Sequence, residues 1–178
     1  MIRFSALWPA RAGRARIAAA LVCGALALAL AGCGDSTGPL PQQGAPDELE
    51  FSFGGYGGTG REVELRGDTV VTQLIHWTWD GNPPNIDTVR VVPDAQAWAG
   101  FWDAAEQAGV GRWRSTYRAE HIADGVGWGL RLVADGRVVE SQGSNAYPDR
   151  NGREHEGEMT DEFRGMMAAV AQLTGVPF

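Results

Sequence analysis

Cys33 is the residue whose chemistry its neighbours define most sharply. It follows Leu30, Ala31 and Gly32 at the end of an apolar run, Ile17 to Ala31, built almost wholly of Ala, Leu and Val. Ahead of that run stand Arg3, Arg11, Arg14 and Arg16. A basic segment, an apolar segment and small residues at a cut compose an export signal, so the expected chemistry is processing at Cys33. A membrane-crossing helix needs about 20 apolar residues. This run falls short of that and Gly24 interrupts it, so a permanent span is the weaker reading.

Other groups of chemical interest are sparser. Gly55, Gly57 and Gly60 fit a GxGxxG spacing, but a strand is expected after them, which leaves no helix N-terminus to hold a phosphate. The expectation there is a hairpin loop carrying Tyr56. His155 sits in Glu154-His155-Glu156-Gly157-Glu158 behind Asp149 and Asn151. Neither the ligand order of a calcium loop nor a second His at helical spacing is present, so a solvated acidic loop is expected, with no metal and no other cofactor. His76 and His121 each stand alone and read as structural. Glu62 and Glu64 share a strand face as an acid–base pair would, and solvated strand charge explains them equally. No Ser lies in GxSxG, so no catalytic residue is assigned and the chain is expected not to be an enzyme.

Six tryptophans follow Cys33. Trp98 and Trp102, four apart on a helix, and Trp128 on a strand fit packing positions. Trp77 and Trp79 share a strand face and Trp113 falls in a loop. Exposed, they would form an aromatic patch for a sugar or a protein partner; buried, they would be core, and burial is the expected outcome. Tyr56, Trp77 and Trp79 are the candidate partner contacts.

The elements that must position these groups follow from periodicity. Alternation predicts strands over Glu48 to Phe53, Glu62 to Arg66, Thr69 to Trp79 and Ile86 to Val92, separated by the glycine cluster, by Gly67-Asp68 and by Asp80 to Pro84. Trp98, Phe101, Trp102, Ala105 and Ala108 then repeat at helical spacing, with Asp94 as cap and Gly109 as stop. Val110 to Asp124 reads as a loop bearing Arg112, Arg114 and Arg118. Gly127 to Ala134 and Arg137 to Gly143 flank Asp135-Gly136, a strong hairpin turn. After the polar stretch Ser144 to Glu158, Thr160 caps a second helix that buries Phe163, Met166, Met167, Val170 and Leu173 and ends before Gly175. No βαβ alternation occurs. The expected fold class is α+β, one antiparallel sheet of five to six strands with two helices packed on one face.

The expected organisation is a signal peptide at 1–32, Cys33 with a flexible tether through 47, and a single domain over 48–178. Residues 34–46 are Gly, Pro, Ser, Thr and Gln with few apolar side chains, too few to support folding. Cleavage leaves 146 of the 178 residues, and removing four arginines leaves 11 basic against 22 acidic residues, a balance of −11. An acidic domain lacks the basic patch that nucleic acid requires, so no nucleic-acid partner is expected. Cys23 lies within the signal, which leaves Cys33 the one thiol after the cut and no disulfide partner.

Leu30-Ala31-Gly32-Cys33 resembles the lipobox of bacterial lipoproteins. The resemblance implies that the small residues admit an extended backbone to the signal peptidase, that the Cys33 thiol accepts a diacylglyceryl group, and that the acyl chains are the membrane contact. In that family's sorting pattern, Asp directly after the Cys retains the protein in the inner membrane. Gly34 stands there, so the periplasmic face of the outer membrane is expected. The Trp98 to Gly109 helix, Asp124-Gly125 ahead of Trp128, and Gly143-Ser144-Asn145-Ala146-Tyr147-Pro148 together resemble a group of small bacterial lipoprotein ectodomains. Phe53-Gly54-Gly55-Tyr56 with Gly58, followed by a helix and a hairpin, is similar to the protease-inhibitor domains called emfourins, which would make the Gly54 to Gly60 loop a metalloprotease contact. The functional expectation is a non-catalytic binding or interaction module of the cell envelope with an envelope protein as candidate partner; the alternatives are a peptidase inhibitor and, more distantly, an envelope hydrolase.

Overall fold

Alternation sets the strands and capping sets the helices. The computed structural model describes Leu40, residues 43–55, 58–78, Asp80, 82–122 and 124–178, all within one compact unit that begins at Cys33. Its strands are β1 (Glu48–Gly55), β2 (Thr59–Arg66), β3 (Thr69–His76), β4 (Asn85–Val91), β5 (Thr116–Arg118), β6 (Val126–Ala134), β7 (Arg137–Ser144), β8 (Ala146–Pro148) and β9 (Glu154–Glu156). Its helices are α1 (Ala95–Gln107) and α2 (Asp161–Thr174), with a 3₁₀ turn at Val110–Arg112. The main sheet has the order β4-β3-β2-β1-β6-β7-β5, and β8 and β9 form a separate two-stranded ribbon. Every pairing is antiparallel except β5 with β7.

The α+β class holds, with seven strands in the main sheet where the sequence predicts five to six. The extra strands come from segments read as loops, and each is only three residues long, too short to show a period. Tyr117 anchors β5: its hydroxyl accepts from the Arg114 N–H at 2.7 Å and donates to the Gly152 carbonyl at 3.2 Å. In β8 all of Ala146, Tyr147 and Pro148 are buried, an apolar run rather than an alternation. Strand β3 ends at His76, three residues before the expected limit.

The helix ends are local chemistry. Asp94 Oδ1 accepts from the Ala97 N–H at 2.8 Å, and Thr160 Oγ1 accepts from the Phe163 N–H at 3.1 Å, each satisfying an N-terminal donor that the helix leaves open. Asp135 (φ 51°) and Gly136 (φ 74°) form the β6–β7 turn, the backbone that two-residue hairpins favour.

One face of the sheet carries the core. Leu49 and Phe51 of β1, Val63 of β2, Val70 and Thr72 of β3, and Trp128, Leu130 and Leu132 of β6 are all buried. Trp98, Phe101, Trp102 and Ala105 of α1 and Phe163, Met166, Val170 and Leu173 of α2 are buried with them. Full burial of one such side chain contributes about 1.5–3 kcal/mol. The centre is aromatic: Phe163 lies 4.8 Å from Trp128, 5.0 Å from Tyr147 and 5.9 Å from Trp113, centroid to centroid. Trp113, from the loop, is thus core at 8% exposure.

The chain just before β1 is packed as well. Leu40 is buried in the core, Trp102 Nε1 donates to the Gly44 carbonyl at 2.7 Å, and the Asp47 N–H donates to the Val133 carbonyl at 2.8 Å. These contacts fall inside the stretch expected as tether. At the other terminus Arg61 Nη2 donates to the Pro177 carbonyl, and its guanidinium lies 3.9 Å from the Phe178 ring centroid. Phe178 in turn meets Phe51 and Phe53 edge-on at 5.6 and 5.9 Å. Arg61 Nε and Nη1 have no acceptor among the described residues, and burial pushes the guanidinium below its ordinary pKa. No helix among the described residues is long and apolar enough to cross a membrane.

Candidate functional site: the open sheet face

The sheet's second face has no element laid over it among the described residues, and the register reads its composition row by row. Across β4, β3, β2, β1, β6 and β7, one row is Arg90, Val71, Glu64, Glu50, Arg131 and Glu140. The next row along the strands is Thr88, Gln73, Glu62, Ser52, Gly129 and Gln142. Beyond it Ile86 pairs with Ile75, Ile75 with Gly60, Gly54 with Gly127 and Gly127 with Ser144. The face therefore grades from a charged row, through a polar row, to an end where three strands carry no side chain.

Trp77 closes that end. It is 52% exposed, and a β-carbon placed on Gly60 would lie 3.5 Å from its Nε1, so the indole leans over the glycine. Close approach explains the neighbouring glycine: a β-carbon on Gly54 would come 2.9 Å from the Gly60 Cα. The expected burial of Trp77 is corrected by this exposure. Alternation put Trp77 on the face shared with Ile75, and that face is the one without a covering layer. Tyr56 and Trp79, the other two candidate contacts, lie outside the described residues, as do Leu30, Ala31, Gly32 and Cys33.

The charged row is organised around Arg131, which donates from Nε to Glu48 at 2.9 Å and from Nη1 to Glu140 at 3.2 Å. Glu64 is taken by Arg66 at 2.7 Å. Glu50 lies between Glu64 and Arg131, and its Oε2 is buried without a hydrogen-bond donor among the described residues. Burial, then the Glu64 charge, raises the Glu50 carboxyl above its ordinary value, and Arg131 works against the rise. Glu62 and Glu64 do share this face, and Glu62 is exposed, as solvated strand charge would be.

A constellation that sequence reading missed lies at the same end. Thr59 Oγ1 is 3.3 Å from His76 Nδ1, and His76 Nε2 is 3.2 Å from Asp87 Oδ2. The three come from β2, β3 and β4, and only the register unites them. The side chains of His76 and Asp87 are 41% and 64% exposed, where water competes for each hydrogen bond. Two clefts lie elsewhere. One of about 410 Å³ includes Ala104, Gln107, Arg150 and Asp161 between α1 and α2, and one of about 380 Å³ runs along α2 past Met167, Ala171 and Phe178.

His155 is 3.4 Å from Asp149 Oδ2, while Asp149 Oδ1 accepts from the N–H groups of Asn151 and Arg153 at 2.8 Å each. The acidic stretch is exposed as expected, but Glu154–Glu156 is strand β9, and Asp149 to Arg153 form the turn of the β8–β9 ribbon. Among the described residues no group of three His, Cys, Asp or Glu side chains is placed to hold a metal ion. Asp124-Gly125 and Gly143 to Pro148 do meet in space. Asn145 Oδ1 accepts from the Val126 N–H at 2.8 Å, and a β-carbon on Gly125 would lie 1.9 Å from that oxygen. This pair has a packing reason. No family model, curated protein or solved structure matches the chain.

Proposed function

We propose that the chain is a lipid-anchored protein of the bacterial cell envelope whose exported domain is a non-catalytic binding module, with the Trp77 end of the open sheet face as its contact surface. The observation that carries the binding reading is an exposed indole leaning over a floor of glycines on an uncovered sheet face. A large aromatic left half in water forgoes part of its burial benefit, and aromatic side chains are enriched where proteins meet partners. The anchor rests on Leu30 to Cys33, and placement at the periplasmic face of the outer membrane rests on Gly34. A residual charge of −11 after cleavage argues against a nucleic-acid partner.

The inhibitor alternative would use the β1–β2 loop, whose flanks Gly55 and Gly58 sit at the Trp77 end while its tip lies outside the described residues. The hydrolase alternative draws on the Thr59–His76–Asp87 chain, which lies open to water.

A pull-down from the host envelope with the intact lipoprotein tests the reading, comparing the native chain with Trp77→Ala and Tyr56→Ala. Material retained by the native protein should be lost with Trp77→Ala while the melting curve stays within about 0.5 kcal/mol of the original, as expected for an exposed site. Equal retention by the variant would overturn the proposal.

A further inference from the structure

We propose that the open face binds a linear, uncharged glycan, with one sugar ring seated on the bare strip beside Trp77; this rests on the binding reading above. Next to the indole, Gly54 of β1 and Gly127 of β6 leave two neighbouring strands without side chains, a width of about 10 Å at the usual strand spacing. A wall, a floor and a bank are then in place. Trp77 supplies an apolar wall, against which the C–H face of a pyranose packs as other flat apolar groups do. The glycine backbone is the floor. The adjoining row, with Ser52, Glu62 and Gln142, supplies hydroxyl, carboxylate and amide groups in line, able both to donate to and accept from a string of sugar hydroxyls.

Charge selects among the occupants. The face carries the carboxylates of Glu48, Glu50, Glu62, Glu64 and Glu140 against the guanidiniums of Arg66, Arg90, Arg118 and Arg131, five against four. An acidic polymer would meet net repulsion. Arg66 and Arg131 are already engaged by Glu64, Glu48 and Glu140, so these two cations are not available to recruit one. An extended peptide gains most by adding to a sheet edge, where backbone groups are free, and the middle of a face offers it none. A lipid chain needs continuous apolar surface, and here Trp77, Ile75 and Ile86 are cut off from Val133 and Val138 by the polar and charged rows. An uncharged polymer with hydroxyls on its rims and apolar ring faces fits what remains.

Calorimetric titration of the full-length processed lipoprotein, held in a non-glycosidic detergent, provides the test. The probes are cellohexaose and hexa-N-acetylchitohexaose, with hexagalacturonate as the acidic comparison. The variants are Trp77→Ala, Gly127→Val and, on the far side of the domain, Asp103→Ala. A β-carbon on Gly127 meets nothing nearer than 3.8 Å, so valine fills the floor without disturbing the backbone. At least one neutral hexamer should bind saturably, at least tenfold more weakly to both Trp77→Ala and Gly127→Val, and unchanged to Asp103→Ala. Failure of both neutral hexamers at millimolar concentration, unchanged affinity in the two site variants, or preference for hexagalacturonate would each overturn the glycan assignment. If envelope capture still depends on Trp77 when the glycans fail, the glycan assignment alone falls; if Trp77 is dispensable in both experiments, the binding reading falls with it.

Discussion

Trp128 donates its indole N–H to the carbonyl of Ala146 at 2.8 Å, tying the centre of β6 to a strand 18 residues on. Gly143 lies beneath this contact, where a β-carbon would stand 2.2 Å from Trp128 Nε1 and 2.6 Å from the Ala146 oxygen. Gly143→Ala should therefore cost about 1–3 kcal/mol through overpacking, and Trp128→Phe a similar amount through a buried carbonyl left without its donor. Urea denaturation reads both; an unshifted midpoint for Gly143→Ala would contradict the geometry.

Glu50 is held partly buried beside Glu64, with its carboxyl raised. A carboxyl whose folded-state pKa exceeds its unfolded value binds protons better in the folded state. Its contribution to stability falls as pH rises through the raised value and is neutral once both states are protonated. Glu50→Gln should accordingly raise the melting temperature at pH 7, on the order of 1–3 °C, and the advantage should shrink as the pH drops through the carboxylate range. Arg131 retains Glu48 and Glu140 in the variant, so the change isolates Glu50. An equal or larger advantage at pH 3 would reject this account.

Trp102→Phe keeps the ring in the core and removes the donor to Gly44. Loss of that hydrogen bond should cost about 1 kcal/mol and speed proteolytic cutting at residues 43–47, followed by mass spectrometry, while β6 and β7 stay protected. Cutting at the native rate would show that the contact does not hold the segment.

Thr160 serves two roles, accepting from the Phe163 N–H and donating to the Pro148 carbonyl. Asp94 only caps α1. Thr160→Ala should thus be the more damaging of the two cap removals, with Asp94→Ala near the ordinary cost of about 1 kcal/mol. Chemical denaturation of the pair decides, and the reverse order would refute the second role.

Cys33→Ser, expressed in the host, should leave the signal uncleaved and the protein unlabelled by palmitate analogues. Normal cleavage and labelling would remove the basis for a lipid anchor.

Sequence reveals what is local. The alternation of Leu49, Phe51 and Phe53, the Asp135-Gly136 turn and the caps at Asp94 and Thr160 each depend on residues a few positions apart, and each appears where expected. Three-residue strands such as Thr116–Arg118 have no measurable period; their stability comes from Tyr117 reaching Gly152, 35 residues away. Trp77 shows the limit most clearly. Its face can be read from alternation, but whether that face is covered depends on where the helices pack, and both settle on the opposite side. Thr59, His76 and Asp87 come together through the pairing of three strands, a relationship no single stretch of sequence contains.

If Cys33 carries the proposed lipid, Leu40 in the core sets how far the domain can stand from its membrane. Only seven Cα-to-Cα steps separate it from Cys33, which at about 3.3–3.6 Å per residue span at most roughly 25 Å whatever path they take. With acyl chains on Cys33, the leash to the bilayer is therefore about half as long as a tether running freely to β1. The domain would patrol a thin layer next to its membrane, and any partner must come within that layer to be met.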